Sequence, residues 1–248
     1  MKIQNLQTSN LNPNLASEFR RLASEICALV INYGLETKPY HDPEIPHFRG
    51  LEMAEQEKIV ASLRSYLESI VGAERAGINL ANGKQALWHF LRSSGYLPCS
   101  EMMNELGDHE VLEIYDAAQN LQVWRNFAFL RICSYTLEEM FCFTWQKRYT
   151  RGEASTQQIL AAVEKVLDPA NRSVVLANVK SHQLLENFSE HGYELLARHD
   201  KFFPLFSRHG HPSGFLVTSG VEIIGKHCWP SGNPGITPSY SSPGLSLL

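Results

Sequence analysis

The side chains best able to bind metals or move protons are ten histidines, five cysteines and scattered carboxylates. His209 and His211 flank Gly210 in SRHGHPS. Two imidazoles alone do not complete a metal site, and no acidic or cysteine companion stands close by, so the pair reads as a solvated turn. Cys27, Cys99, Cys133, Cys142 and Cys228 are odd in number and widely spaced, with no C-x-x-C. They suit neither a disulfide framework nor a zinc knuckle, and point to a reduced compartment. Glu138 and Glu139 are adjacent carboxylates in SYTLEEM. Thr136 stands three residues before Glu139, which makes a helix capping box rather than an acid–base pair. There is no G-x-S-x-G elbow, P-loop or dinucleotide fingerprint. Serine, histidine and aspartate are plentiful, but nothing in their spacing unites them, and the expectation is a protein that is not an enzyme.

The elements that must position these residues rest on a chain of 248 residues that is 44% hydrophobic, enough for a sizeable core. Net charge is -4 with Lys and Arg scattered, which argues against a nucleic-acid footprint. The opening MKIQNLQTSNLNPN is polar and lacks the apolar run of a signal peptide, and no segment has the length of a membrane span. A cytoplasmic location is expected.

Three regions separate. Residues 1–107 read as helical. Leu15, Phe19, Leu22, Ile26, Leu29, Val30 and Tyr33 recur at steps of three and four, with Asn14 as cap and Gly34 as stop. KPYHDPEIPHF, with three prolines, interrupts. A second helix runs from about Leu51, with Ile59, Leu63, Tyr66, Leu67 and Ile70 inward and Gly72 as its stop. A third carries Leu87, Trp88, Phe90 and Leu91, and a short fourth holds Met102, Met103 and Leu106. Residues 108–225 change character. VLEIYD and LQVWRN read as strands around the turn AAQN, and YELLARHDKFFPLF and GFLVTSGVEII as strands around SRHGHPS. STQQILAAVEKVLD is helical, with Ile159, Leu160, Val163, Val166 and Leu167 apolar. Residues 226–248, rich in Pro, Gly and Ser, read as a disordered tail.

Between the strand pairs, AFLRICSY places Phe129, Ile132 and Cys133 at helical steps, and Asn126 ends the preceding strand. The order is strand, turn, short helix, break, capped helix. It predicts an α+β fold: one antiparallel sheet with short helices on one face, preceded by the helical region. WRNFAF, SYTLEEM and FPLFSRHGHPSGFLVTSGVEII together resemble the PAS domain family. WRNFAF is similar to its pattern of aromatic, any residue, Asn, any residue, Ala, Phe. SYTLEEM is similar to its Gly-Tyr-Ser/Thr-x-Glu-Glu-Leu/Met pattern, with Ser134 where glycine is commonest. The last segment is similar to its closing hairpin. The resemblance covers about half of the chain and none of the N-terminal helices.

The resemblance implies a sensory or interaction module that encloses a small cavity, pairs with a second copy, and signals to a separate output or regulatory protein. It does not name a cofactor. The family's flavin-binding, light-sensing members use an Asn-Cys-Arg cysteine. Trp145 falls at that position, and Cys142 lies three residues early. Haem needs an axial ligand; His182 and His199 in strand-like segments are the geometric possibilities. The residues expected to face the sheet and line a ligand pocket are Phe129, Ile132, Phe141, Phe143, Trp145, Leu160 and Val163, suited to a small apolar molecule. In the last strand, Phe215, Val217, Val221 and Ile223 form one face, and Leu216, Thr218, Gly220, Glu222 and Ile224 the other. Both are apolar enough to need cover, which the N-terminal helices would give. Ile26 and Val30, or the Leu63 to Ile70 face, would then build a homodimer. The alternative is a transcription regulator in which ALWHFLRSSGYLPCSEMMNELG serves as a helix-turn-helix, although its second helix has no Arg or Lys to meet phosphate.

Overall fold

The structure is a computed structural model that describes residues 13–107, 110–177, 179–187 and 191–228. Helix α1 (Pro13–Val30) is described from Pro13, so Asn14 lies inside its first turn instead of capping it. A single 3-10 turn follows and stops at Gly34, whose φ of 72° is the left-handed conformation expected there. The proline-rich stretch holds a short helix, α2 (Pro46–Arg49). Helix α3 (Met53–Arg75) runs through Gly72, correcting the expected stop. A Cβ at Gly72 would lie 3.0 Å from the His89 ring, so the glycine marks close approach of the next helix. That helix, α4 (Gly83–Ser94), is capped by the Asn82 side chain and closed by Gly95.

Two short elements, β1 (Leu97–Pro98) and α5 (Met102–Glu105), complete the helical region. The helix, glycine turn and second short helix read around Gly95 are present, with β1 standing between the turn and α5. The faces expected to form a dimer are also corrected. Ile26, Val30, Leu63 and Ile70 are buried in a core shared by α1 and α3 of the same chain.

The remaining elements are β2 (Val111–Asp116), β3 (Leu121–Arg125), α6 (Phe127–Arg131), α7 (Leu137–Cys142), α8 (Trp145–Arg148) and β4 (Tyr149–Thr150). After them come α9 (Glu153–Leu167), β5 (Val175–Leu176), β6 (His182–Glu186), β7 (His191–Phe206) and β8 (Pro212–Cys228). They form an antiparallel sheet in the order β3-β2-β8-β7-β6-β4, with β1 and β5 also paired to β7. The first hairpin lies beside the last because β2 pairs with β8 from Val111↔Ser219 to Asp116↔Gly214. Gly214 permits this: a Cβ there would sit 2.4 Å from the Tyr115 carbonyl oxygen. The protein is thus α+β, an N-terminal helical region followed by a curled antiparallel sheet. Strand β8 runs past Gly225, the boundary read from composition, to Cys228. The tail from residue 229 lies outside the described residues.

The local signals position the helices. Asn126 caps α6 by accepting from the Phe129 N–H at 3.3 Å, and also accepts from Leu112 N–H at 3.1 Å, tying β3 to β2. Helix α6 ends at Arg131, so Ile132 and Cys133 follow it instead of belonging to it. The Thr136–Glu139 capping box is complete.

Side-chain alternation gives the sheet two working faces. Leu112 and Ile114 point one way with Trp124, the cross-strand partner of Ile114. Phe90 of α4 stacks on Trp124 at 5.6 Å. Helix α3 lies along the edge strand β3, where the Tyr66 hydroxyl donates to the Arg125 carbonyl at 3.0 Å. Helices α6 and α9 pack on the opposite face. Strand β8 is covered on both faces only over its first half. Leu216 and Thr218 are fully buried, whereas Ile223 and Ile224 are 40% and 43% exposed, so the expected cover stops short of the strand's end. Among the described residues no helix is long and apolar enough to cross a membrane.

Candidate functional site

The face opposite α4 encloses a cavity of about 60 Å³, measured as space open to the centre of a water molecule. Its floor is Val111, Glu113 and Tyr115 of β2, Phe215, Val217, Ser219 and Val221 of β8, and Leu195, His199 and Phe202 of β7. Its walls come from α6, α8 and α9 with Ile132, Tyr149, Arg151 and Leu184. Alternate residues of β2 and β8 reach it, as the period of two demands. On β7 a bulge between His199 and Lys201 shifts the register, which brings Phe202 to the same side as His199.

Of the residues expected to line a pocket, Phe129, Ile132, Trp145 and Val163 do so. The other three stand elsewhere. Phe141 lies beneath the Arg125 guanidinium, 4.5 Å from its ring centre. Phe143 meets the His47 ring edge-on at 4.7 Å. Leu160 is off the inward stripe of α9, which is Ile159, Ala162, Val163 and Val166; Ile159 takes the lining position instead.

Apart from His199, the polar side chains of the site escaped the sequence reading. Glu113 accepts from Gln122 Nε2 at 2.5 Å and from the Tyr115 hydroxyl at 3.0 Å. Gln122 Oε1 in turn accepts from Arg148 at 2.6 Å. Arg125 and Arg148 are both buried, and Phe129 lies between their guanidiniums at 5.3 and 5.8 Å. Burial, then the neighbouring Arg148 charge, pushes the Arg125 pKa down to about 10. Arg151 lines the cavity itself, stacked on Trp145 at 4.6 Å and near Tyr149 at 5.9 Å. Burial pushes its pKa to about 10 as well, so it stays charged at neutral pH.

His199 Nδ1 lies 2.7 Å from Ser219 Oγ, its cross-strand partner, and Nε2 is buried without a hydrogen bond. Burial holds the ring neutral, with its pKa pushed down to about 3. His182 lies beside it, ring centres 5.5 Å apart, and donates Nδ1–H to the Lys180 carbonyl. A space of this size does not admit a porphyrin in the conformation described. His209 and His211 are exposed on the β7–β8 turn. Cys142 is half-buried, and desolvation raises its thiol pKa well above the usual value, against a reactive thiolate.

Outside the cavity, two further carboxylates act structurally. Glu138 Oε1 accepts from the His47 and Phe48 N–H groups at 2.8 and 3.1 Å, holding α2 against α7. Glu186 accepts from the Ser134 N–H and hydroxyl at 3.0 and 2.5 Å, and from Tyr193 N–H at 2.8 Å. The arrangement is a small, mainly apolar chamber with Glu113, Arg151 and His199 in its lining. No protein-family model and no curated protein matches this chain.

Proposed function

We propose that residues 108–225 form a PAS-type sensory or regulatory module without its own catalytic output, holding a small, mainly apolar ligand between sheet and helices. The cavity carries this reading. Phe129, Ile132, Trp145, Val163, Phe202 and Phe215 surround it, and it lies on the sheet face that α6 and α9 cover. The pairing of the first hairpin with the last and the complete Thr136–Glu139 box support the family resemblance. The ligand's presence is passed to a second copy or a separate output protein. Since Ile26, Val30, Leu63 and Ile70 are internal, any self-association uses other surfaces.

The test uses toluene as an apolar probe, titrated into the full chain and followed by methyl NMR. The Val163 methyl signals are expected to shift saturably. Val163→Phe fills the space and abolishes binding. Absence of any saturable shift, or unchanged binding in Val163→Phe, overturns the reading.

A further inference from the structure

Among the described residues, Arg151 is the cation that lines the cavity. Among the described residues Arg151 makes no hydrogen bond and no ion pair; its contacts are the aromatic faces of Trp145 and Tyr149. Its Nε is buried and unpartnered. Burial penalises this half-buried cation; the aromatic faces and the Glu113 charge offset that only in part, and neither gives the guanidinium a hydrogen bond. The carboxylate in the cavity floor, Glu113, takes its hydrogen bonds from Gln122 and Tyr115 and acts on the guanidiniums only through its charge. Two further guanidiniums, Arg125 and Arg148, lie behind the wall, each with Nε and Nη1 unpartnered. The surroundings thus hold a surplus of positive charge, and only Arg151 offers it to the cavity.

We infer that the cavity takes a small monocarboxylate whose flat apolar body lies among Phe129, Trp145, Phe202 and Phe215 and whose carboxylate meets Arg151. This deepens the proposal above and rests on reading the cavity as a ligand site. A planar guanidinium fork matches a carboxylate in two parallel hydrogen bonds. One facing cation fits one negative charge, and walls this apolar leave a phosphate's other oxygens unmet. His199, uncharged and with Nε2 unpartnered, and Ser219 supply a second polar point without a second charge. The space open to water-molecule centres corresponds to roughly four to six waters, the bulk of a benzoate-sized molecule.

The experiment titrates benzoate, benzamide and toluene into the full chain and its Arg151→Gln and Arg151→Lys variants, reading Val163 methyl shifts. Benzoate is expected to bind the unmodified chain at least about tenfold tighter than uncharged benzamide. Arg151→Gln erases that preference while benzamide affinity stays within about threefold. Arg151→Lys keeps the charge without the fork, retains part of the preference, and decides the matter if Arg151→Gln does not fold. Equal affinity for benzoate and benzamide, or a preference that survives in Arg151→Gln or is undiminished in Arg151→Lys, overturns the inference. In those cases toluene binding leaves the ligand-site reading standing. If none of the three probes shifts Val163, both fall together.

Discussion

Lowering the pH from 7 to 4.5 should destabilise this protein through one ring, His199. Its Nε2 is buried without a partner, and its surroundings disfavour a charge, with burial the largest cause and the Arg151 and His182 charges adding to it. The folded chain therefore takes a proton on this ring only near pH 3, whereas the unfolded chain takes it near the ordinary value of 6.5. Between those values the unfolded state binds more protons, so stability is complete above pH 6.5 and falls as pH falls toward 3. At about 1.4 kcal/mol per pH unit, the step from pH 7 to 4.5 removes about 2–3 kcal/mol. That is a large share of the ~5–15 kcal/mol that holds a typical domain folded. Urea unfolding followed by tryptophan fluorescence at several pH values would measure it, in the unmodified chain and in His199→Gln. Glutamine keeps an amide for Ser219 and does not titrate. Other titrating groups act in both chains, so the difference between the two curves isolates the ring. The variant's stability should fall less over this range by about 2–3 kcal/mol. Curves that run parallel within about 0.5 kcal/mol would refute the reasoning.

Gly214→Ala places a methyl against the Tyr115 carbonyl and should cost about 1–3 kcal/mol, read as a lowered Tm in differential scanning fluorimetry. Glu138→Ala orphans the His47 and Phe48 N–H groups and should cost about 2–4 kcal/mol in urea unfolding, whereas Glu138→Gln, which keeps an acceptor oxygen, should cost less than about half of that. Equal losses in Ala and Gln would show that the carboxylate's N–H bonds are not what matters.

What the sequence revealed was local. The Thr136–Glu139 box is a pair of bonds across three residues and forms as read, and Asn126, read only as the strand's end, also caps α6. Strands β2, β3, β7 and β8 were legible from alternation and turn residues. Signals that depend on a distant neighbour were not. Gly72 has the composition of a stop, but the His89 ring packed against it makes it a point of helix contact. Phe202 reaches the cavity through a bulge that interrupts the alternation of β7. Leu160 and Ile159 differ by one residue, and only the direction of the sheet decides which of them faces inward. Arg151 left one faint trace: a cation stands immediately before the start of α9, where the helix dipole favours a negative charge.

Strand β2 is a party wall. Val111, Glu113 and Tyr115 furnish the chamber, while Leu112 and Ile114 belong to the rooms next door. Side chains on one backbone cannot shift independently, and a slip of a single residue would exchange the two sets. Whatever displaces one side of that wall is therefore felt on the other, where the helical half packs.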